Sequence, residues 1–376
     1  MMNSILNEIR KIRKDDILRI DRTNKNRYRI VTYERNTLKT AYYFSVPIYS
    51  QTDRKLLDLT FHSYKGSCLL NGSNSTIYIS DSVLLKNKHG SCRITLPSRY
   101  LTQTDKCVFY NGVKVFPTTN GIAIQADLNA QGQYRFLLNL EQGGYQIRGN
   151  NKYLAFMIEK FKPFVTVSCI GSIYKAEEIF APAEIKYQKL TDREYEITIH
   201  SNNALAKQIL LEINCQETKL FQDTTVESKT PSQNNVFGGT AFIGNSSLFG
   251  EQWLYARPDF SIFSDLWGQT IQSANLYIPM LHQTSLQLMT VGLTTRFCSF
   301  GSNWNNKKAS SQAAILSDHV SGYHKINIVN LIAQNQKLLT TSEGWIIKSA
   351  VKNNGFTSVS TGDSFYAPQI LEVTFK

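Results

Sequence analysis

Residues 109–116 read Phe-Tyr-Asn-Gly-Val-Lys-Val-Phe. Two runs of aromatic and β-branched residues flank Asn111-Gly112, a pair that tolerates the positive φ of a tight turn, so the stretch predicts an antiparallel hairpin. The same grammar extends in both directions. LLDLTFHSYKG, CLLNGSNSTIYIS and CRITLP precede the hairpin, and GIAIQADLNAQGQYRFLLNL and GGYQIRGN follow it, each broken by turn residues. Asn71-Gly72 separates another two strand-like runs. Upstream, RYRIVTYERNTLKTAYYFSVPIY alternates in the same way, and downstream VTVSCIGSIY, EIKYQKL and REYEITIH read as strands. YLAFMIEKFK, at 153–162, reads instead as a brief helix. With 19 Tyr and 20 Phe among many Val, Ile and Thr, the chain is expected to be mostly β. Residues 28–200 are expected to form one or two antiparallel β domains. A linker spans 201–221, where SNNALAKQILLEINCQETKLFQ carries one strand or helix into a second module at 222–376.

A chain of 376 residues is too long for one ordinary core, and 42% hydrophobic with 19% charged residues is globular rather than disordered. Ile5, Ile9 and Ile12 fall at helical spacing near the start, so a short amphipathic helix is expected within a basic arm covering residues 1–27. Residues 1–35 carry ten Lys or Arg against five Asp or Glu, part of a formal net charge of +12. Arg10, Lys11, Arg13 and Lys14 on that arm are candidates for docking to a larger particle; a nucleic-acid tail is the less favoured reading. The opening MMNSILNEIRKIRKDD interrupts any apolar run with charges, and no later stretch approaches the ~18 apolar residues of a membrane helix. Synthesis in the cytoplasm without a signal peptide, and no membrane span, are therefore expected. A protein of this kind working outside a cell leaves by lysis or within a particle. Six cysteines (Cys68, Cys92, Cys107, Cys169, Cys215 and Cys298) lie far apart without metal spacing, as free buried thiols do.

From Asp223 onward the order of features is specific. A strand from Asp223 to Val226 leads to a Pro231–Asn234 turn; Ile271, Ser273, Ala274 and Leu276 mark a second motif; Trp304 follows a Gly-Ser loop. Asn327 and Leu331 begin a helix, Gly344, Trp345 and Ile347 a strand, and Pro368, Leu371 and Val373 a closing strand. This succession resembles the DNRLRE domain family of surface and attachment proteins over about two fifths of the chain. The resemblance implies a non-catalytic, jelly-roll-like β-sandwich, and some modules similar to this family bind acidic polysaccharides. Two departures weaken the transfer of ligand binding: Tyr255-Ala256-Arg257-Pro258-Asp259 replaces a common Arg-Phe-Asp segment, and QKLLTTSE before Gly344 lacks a common tryptophan. The residues themselves suit a sandwich. Trp345 and Ile347 alternate with Ile346 and Lys348, and Leu371 and Val373 alternate with Glu372 and Thr374. Asn327 has the side chain of a helix cap.

No Walker loop, dinucleotide glycine cluster, HExxH, nucleophile elbow or zinc pattern is present, so no catalytic residue, metal or cofactor is assigned. The glycine pairs in QGGY (142–145) and FGGT (237–240) are of the sort used at turns and bulges. Asp318, His319 and His324 are the only close histidine group, and a solvated loop is the favoured reading. Glu177 and Glu178 are neighbours, but adjacent strand residues face opposite ways, which gives a glycosidase no support. Aromatic residues are the better candidates. Trp253, Tyr255, Trp267, Trp304 and Trp345 all fall in the C-terminal module, and GSNWNNKK sets Trp304 among Asn303, Asn305, Asn306, Lys307 and Lys308. Trp304, Asn303, Asn305, Lys307 and Trp345 are the candidate ligand-binding residues, with Trp304 first; the competing reading places a sandwich tryptophan in the core. The function expected is that of a non-enzymatic structural or attachment protein of a phage or phage-tail-like particle. It would contact other structural proteins, further copies of itself and cell-surface polysaccharide. A carbohydrate-binding protein recognising an acidic glycan and a spore-coat or other surface-layer protein are the alternatives.

Overall fold

Period-two alternation dominates the chain, and the backbone follows it. The computed structural model describes residues 4–13, 20–21, 26–33, 38–141, 146–149, 153–157, 163–170, 173–174, 177–178, 183–201, 208–215, 221–233, 235, 239–246, 249–259, 266–283, 289–294, 302–307, 313–315, 318–333, 344–350, 355–362, 364 and 366–376. Strands make up 60% and helix 6%, so the expectation of a mostly β chain with antiparallel sheets and a short N-terminal helix holds. Two units separate: Met1–Ile5 with Tyr49–Glu217, and Leu6–Ile48 with Thr218–Lys376.

The first unit has two eight-stranded antiparallel sheets. One runs from edge to edge as Ala183–Lys189, Glu194–Ser201, Gln133–Leu140, Gly90–Thr95, Val83–Asn87, Thr76–Ile79, Ser67–Asn71 and His62–Tyr64. The other runs Gln146–Gly149, Tyr153–Met157, Pro163–Ile170, Gln208–Cys215, Gly121–Asp127, Val113–Pro117, Val108–Tyr110 and Tyr100–Gln103. Tyr195, Ile197 and Ile199 point inward from the first sheet, and Ile209, Leu211 and Ile213 are equally buried in the second. Phe156 meets Tyr195 edge to face across the sheets at 5.1 Å. The hairpin read from Asn111-Gly112 is present: Tyr110 pairs with Val113, and Gly112 holds φ +69°.

Two expectations fail in this unit. Residues 153–157 form a strand, not a helix, because Gln146–Gly149 and Pro163–Ile170 pair with it on its two sides; residues 158–162 lie outside the described set. The segment expected as a linker contains Gln208–Cys215, an interior strand paired to both Gly121–Asp127 and Pro163–Ile170.

The second unit is sandwich-like. One layer orders Arg29–Tyr33, Lys39–Phe44, Ile370–Phe375, Ile271–Gln283, Tyr323–Asn327 and Asp318–Val320. The long strand Ile271–Gln283 shifts register between Met280 and His282, and its end pairs with Gly355–Ser360 in the other layer. That layer continues through Thr240–Ser246, Gly250–Pro258, Gly344–Ser349, Met289–Thr294 and Ala313–Ile315, and Phe221–Glu227 also pairs with Gly250–Pro258. Their shared core includes Tyr43, Phe221, Leu254, Leu276, Trp345, Ile347, Val359 and Val373. The strands at 29–44 thus belong to the C-terminal module, not to the region 28–200 in which their sequence position had put them. Asn327 Oδ1 accepts from Val329 N at 3.1 Å and caps the short helix Val329–Ala333, as its side chain implied.

Candidate functional site

Strand parity decides which aromatic residues reach the surface. In Gly250–Pro258, Leu254 and Ala256 face the core, so Trp253 and Tyr255 take the outer face. Register sets Val226 opposite Trp253 and Ile346 opposite Tyr255. Val226, Tyr255 and Ile346 form a small buried cluster on that face, against which the half-buried Trp253 and Trp304 pack. The same parity turns Trp345 the other way: it is 1% exposed, edge to face with Phe221 at 6.4 Å, and is core rather than ligand-binding.

Trp304 is held by its own loop. Asn303 caps a single 3-10 turn, its side-chain oxygen accepting from Asn305 N at 3.0 Å and Asn306 N at 3.2 Å, while Asn306 Oδ1 accepts from Asn303 N at 2.8 Å. Asn305 N also donates to Pro231 O at 3.1 Å, which fastens this turn to the loop after Phe221–Glu227. Asn303 and Asn305 therefore position the tryptophan. The Trp253 and Trp304 rings lie 5.3 Å apart and are tilted by 58°. Lys307 Nζ sits 4.0 Å from the Trp304 centroid and 5.6 Å from that of Trp253; Lys348 Nζ sits 5.0 Å from Trp253. Trp253 Nε1 donates to Glu251 Oε1 at 2.7 Å. The result is an aromatic surface carrying two ammonium groups and one carboxylate.

Of the candidate residues, the fold brings Asn303, Trp304, Asn305 and Lys307 together and leaves Trp345 inside. Sequence reasoning named Trp253 among the aromatic candidates but left it, like Lys348, out of the ligand-binding set. Their signal was parity: Lys348 stands one residue beyond the core residue Ile347, and Trp253 one before the core residue Leu254. Trp267 is 64% exposed on a separate turn.

Of the N-terminal basic residues, Lys11 and Arg13 are engaged within the chain. Ile5, Ile9 and Ile12 of the helix Ser4–Arg13 are buried. Arg13 Nη1 donates to Thr32 Oγ1 at 2.9 Å and to Tyr42 Oη at 3.4 Å, and Tyr323 Oη donates to Glu8 Oε2. Lys11 pairs with Glu8 at 2.6 Å, Arg10 is half-buried, and Lys14 lies outside the described residues. The helix is an integral piece of the fold rather than a free arm.

His319 and His324 face each other across a hairpin, with His319 Nε2 2.9 Å from His324 Nδ1 and His324 Nε2 3.2 Å from Thr357 Oγ1. Among the described residues, no group of three or more His, Cys, Asp or Glu is placed to hold a metal. Cys68, Cys92, Cys107 and Cys215 are buried and form no disulfide; the side chains of Cys169 and Cys298 lie outside the described residues. No helix among the described residues is long and apolar enough to cross a membrane. No protein-family model matches the chain, and no curated protein matches it.

Proposed function

We propose that this chain is a non-enzymatic attachment protein whose C-terminal sandwich recognises an acidic glycan, as part of a larger assembly such as a phage or phage-tail-like particle. The observation that carries this reading is the pair of ammonium groups, Lys307 and Lys348, set over the Trp253 and Trp304 rings on the outer face of the sandwich. Indole faces stack on sugar rings, and ammonium groups attract the carboxylates or sulfates that acidic sugars carry. A sugar acid entering the patch draws Lys307 off Trp304 and exchanges one cation–π contact for a charged hydrogen bond. The order of DNRLRE-like motifs supports the same reading. The integral N-terminal helix leaves contacts with other particle proteins to surfaces other than Arg13.

Affinity electrophoresis through gels containing an acidic polysaccharide or neutral dextran tests it. The wild-type chain is retarded by the acidic polymer, less so as salt is raised; Trp304→Ala and the double variant Lys307→Ala/Lys348→Ala are not. Equal mobility of wild type and variants across a panel of acidic polysaccharides would refute the assignment.

A further inference from the structure

A second chemical grouping lies in the N-terminal unit, on residues the glycan-binding face does not use. The hairpin of His62–Tyr64 and Ser67–Asn71 turns through Lys65 and Gly66, both at positive φ. Tyr64 pairs with Ser67 beside the turn, and Ser63 pairs with Cys68 one step further. In a hairpin with a two-residue turn that second pair is the close, non-hydrogen-bonded kind, whose side chains leave one face side by side. They meet one carboxamide. Gln103, on the end strand of the other sheet, presents its Oε1 in direct contact with Cys68 Sγ, and its Nε2 donates to Ser63 Oγ at 2.8 Å. Tyr100 Oη lies 3.4 Å from the same Oε1.

This is a thiol, a carboxamide and one hydroxyl donor for the carboxamide oxygen in a single cluster. The thiol donates to an oxygen bonded to Cδ, so the sulfur lies one atom from the carbonyl carbon. Buried cysteines are usually inert packing. Cys92 fits that description, its thiol wholly buried and pushed up to about 12. Cys68 is also buried, and burial raises its thiol too; what sets it apart is its neighbour, a carboxamide at the rim of the sheets, where Ser63 and Thr102 are exposed and Gln103 is half-buried. The two strands concerned, His62–Tyr64 and Tyr100–Gln103, end their respective sheets.

We propose that Cys68 and Gln103 condense to an internal thioester that ties the two sheets of this unit together and can be passed to a primary amine on another surface. In the first step Sγ attacks Gln103 Cδ and an S–C bond forms. The Cδ–Nε2 bond breaks, the thiol proton goes to the departing nitrogen, and ammonia leaves. The fixed geometry replaces an encounter between separate reactants, an advantage on the order of 10⁵–10⁸ M in effective concentration for well-aligned pairs. Tyr100 donates to the carbonyl oxygen as charge develops on it. In the second step an amine, such as a lysine side chain of the attached surface, attacks Cδ. The S–C bond breaks, a new amide joins the amine to Gln103, and the amine proton returns to the Cys68 sulfur. No oxidant or metal is consumed. An attachment protein with this bond would hold its target covalently after first contact.

Intact mass of the full chain, followed by peptide mapping, tests the proposal. The wild-type protein is expected to be lighter than its encoded mass by one ammonia, with the deficit on a linked pair of peptides containing Cys68 and Gln103. In denaturant, Cys68 resists iodoacetamide until methylamine is added; methylamine is then found on Gln103 and Cys68 becomes alkylated. Cys68→Ala and Gln103→Glu each show no linked peptide and take up no methylamine. A folded wild-type chain at its encoded mass, with Cys68 alkylated in denaturant without methylamine, overturns the proposal. So does a deficit that maps elsewhere, for instance to a succinimide at Asn71-Gly72 or Asn111-Gly112. The wild-type measurement decides even where a variant fails to fold.

Discussion

Replacement of His324 by glutamine tests how the sandwich depends on pH. His324 is fully buried on the strand Tyr323–Asn327, between the ring of His319 and the hydroxyl of Thr357. Burial, with a smaller contribution from His319, pushes its pKa down to about 3 from an ordinary 6.5. The folded protein thus keeps this imidazole neutral to about pH 3, whereas the unfolded chain protonates it below 6.5. Stability from this group is complete above the ordinary pKa and is lost as pH falls towards the folded one. At about pH 4.5 the solution is two units below the unfolded value, at about 1.4 kcal/mol each, so the wild type loses about 3 kcal/mol relative to neutral pH through this residue. Glu372, whose pKa burial raises, acts in the opposite direction, and the variant retains it. Comparing the pH dependence of the two proteins therefore isolates His324. All four tryptophans fall within Thr218–Lys376, so denaturant unfolding followed by tryptophan fluorescence reports this unit. His324→Gln is expected to be less stable at neutral pH and to lose less on acidification. Parallel pH profiles for the two proteins would refute the argument that a neutral buried imidazole supplies this dependence.

Three further outcomes follow from the packing. Trp345→Ala empties the space beside Phe221 and is expected to cost about 3–5 kcal/mol, read by circular-dichroism melting. Ile9→Ala is expected to destabilise the C-terminal unit by about 2–5 kcal/mol, whereas Lys11→Ala, on an exposed ion pair, leaves its fluorescence-monitored unfolding unchanged; equal effects would contradict an integral helix. Asn303→Ala removes the side-chain acceptor of Asn305 N and Asn306 N that caps the turn around Trp304 and is expected to cost about 1 kcal/mol locally, seen as weaker retardation on an acidic polysaccharide with little change in global melting.

Local chemistry was legible in the sequence by itself. Alternation along REYEITIH produces the buried set Tyr195, Ile197 and Ile199, Asn111-Gly112 turns a hairpin, and Ile5, Ile9 and Ile12 make one buried helical stripe. These signals act within a few residues, where side-chain period and backbone preference suffice. Pairing partners were not legible, because they are chosen by the rest of the fold. YLAFM has a pattern open to helix and becomes a strand when neighbours bond it on both sides. Lys39–Phe44 joins Ile370–Phe375 across more than three hundred residues, and Gln208–Cys215 enters the middle of a sheet instead of linking domains. For the candidate site, the sequence singled out Trp304 and its polar loop, since asparagines and lysines around a tryptophan are a local feature. Only the tertiary structure decided that Trp345 faces inward, that Trp253 and Lys348 complete the patch, and that Cys68 meets Gln103. A shift of one residue in strand register reverses every side chain's face, and between strands far apart in sequence no local turn sets that register.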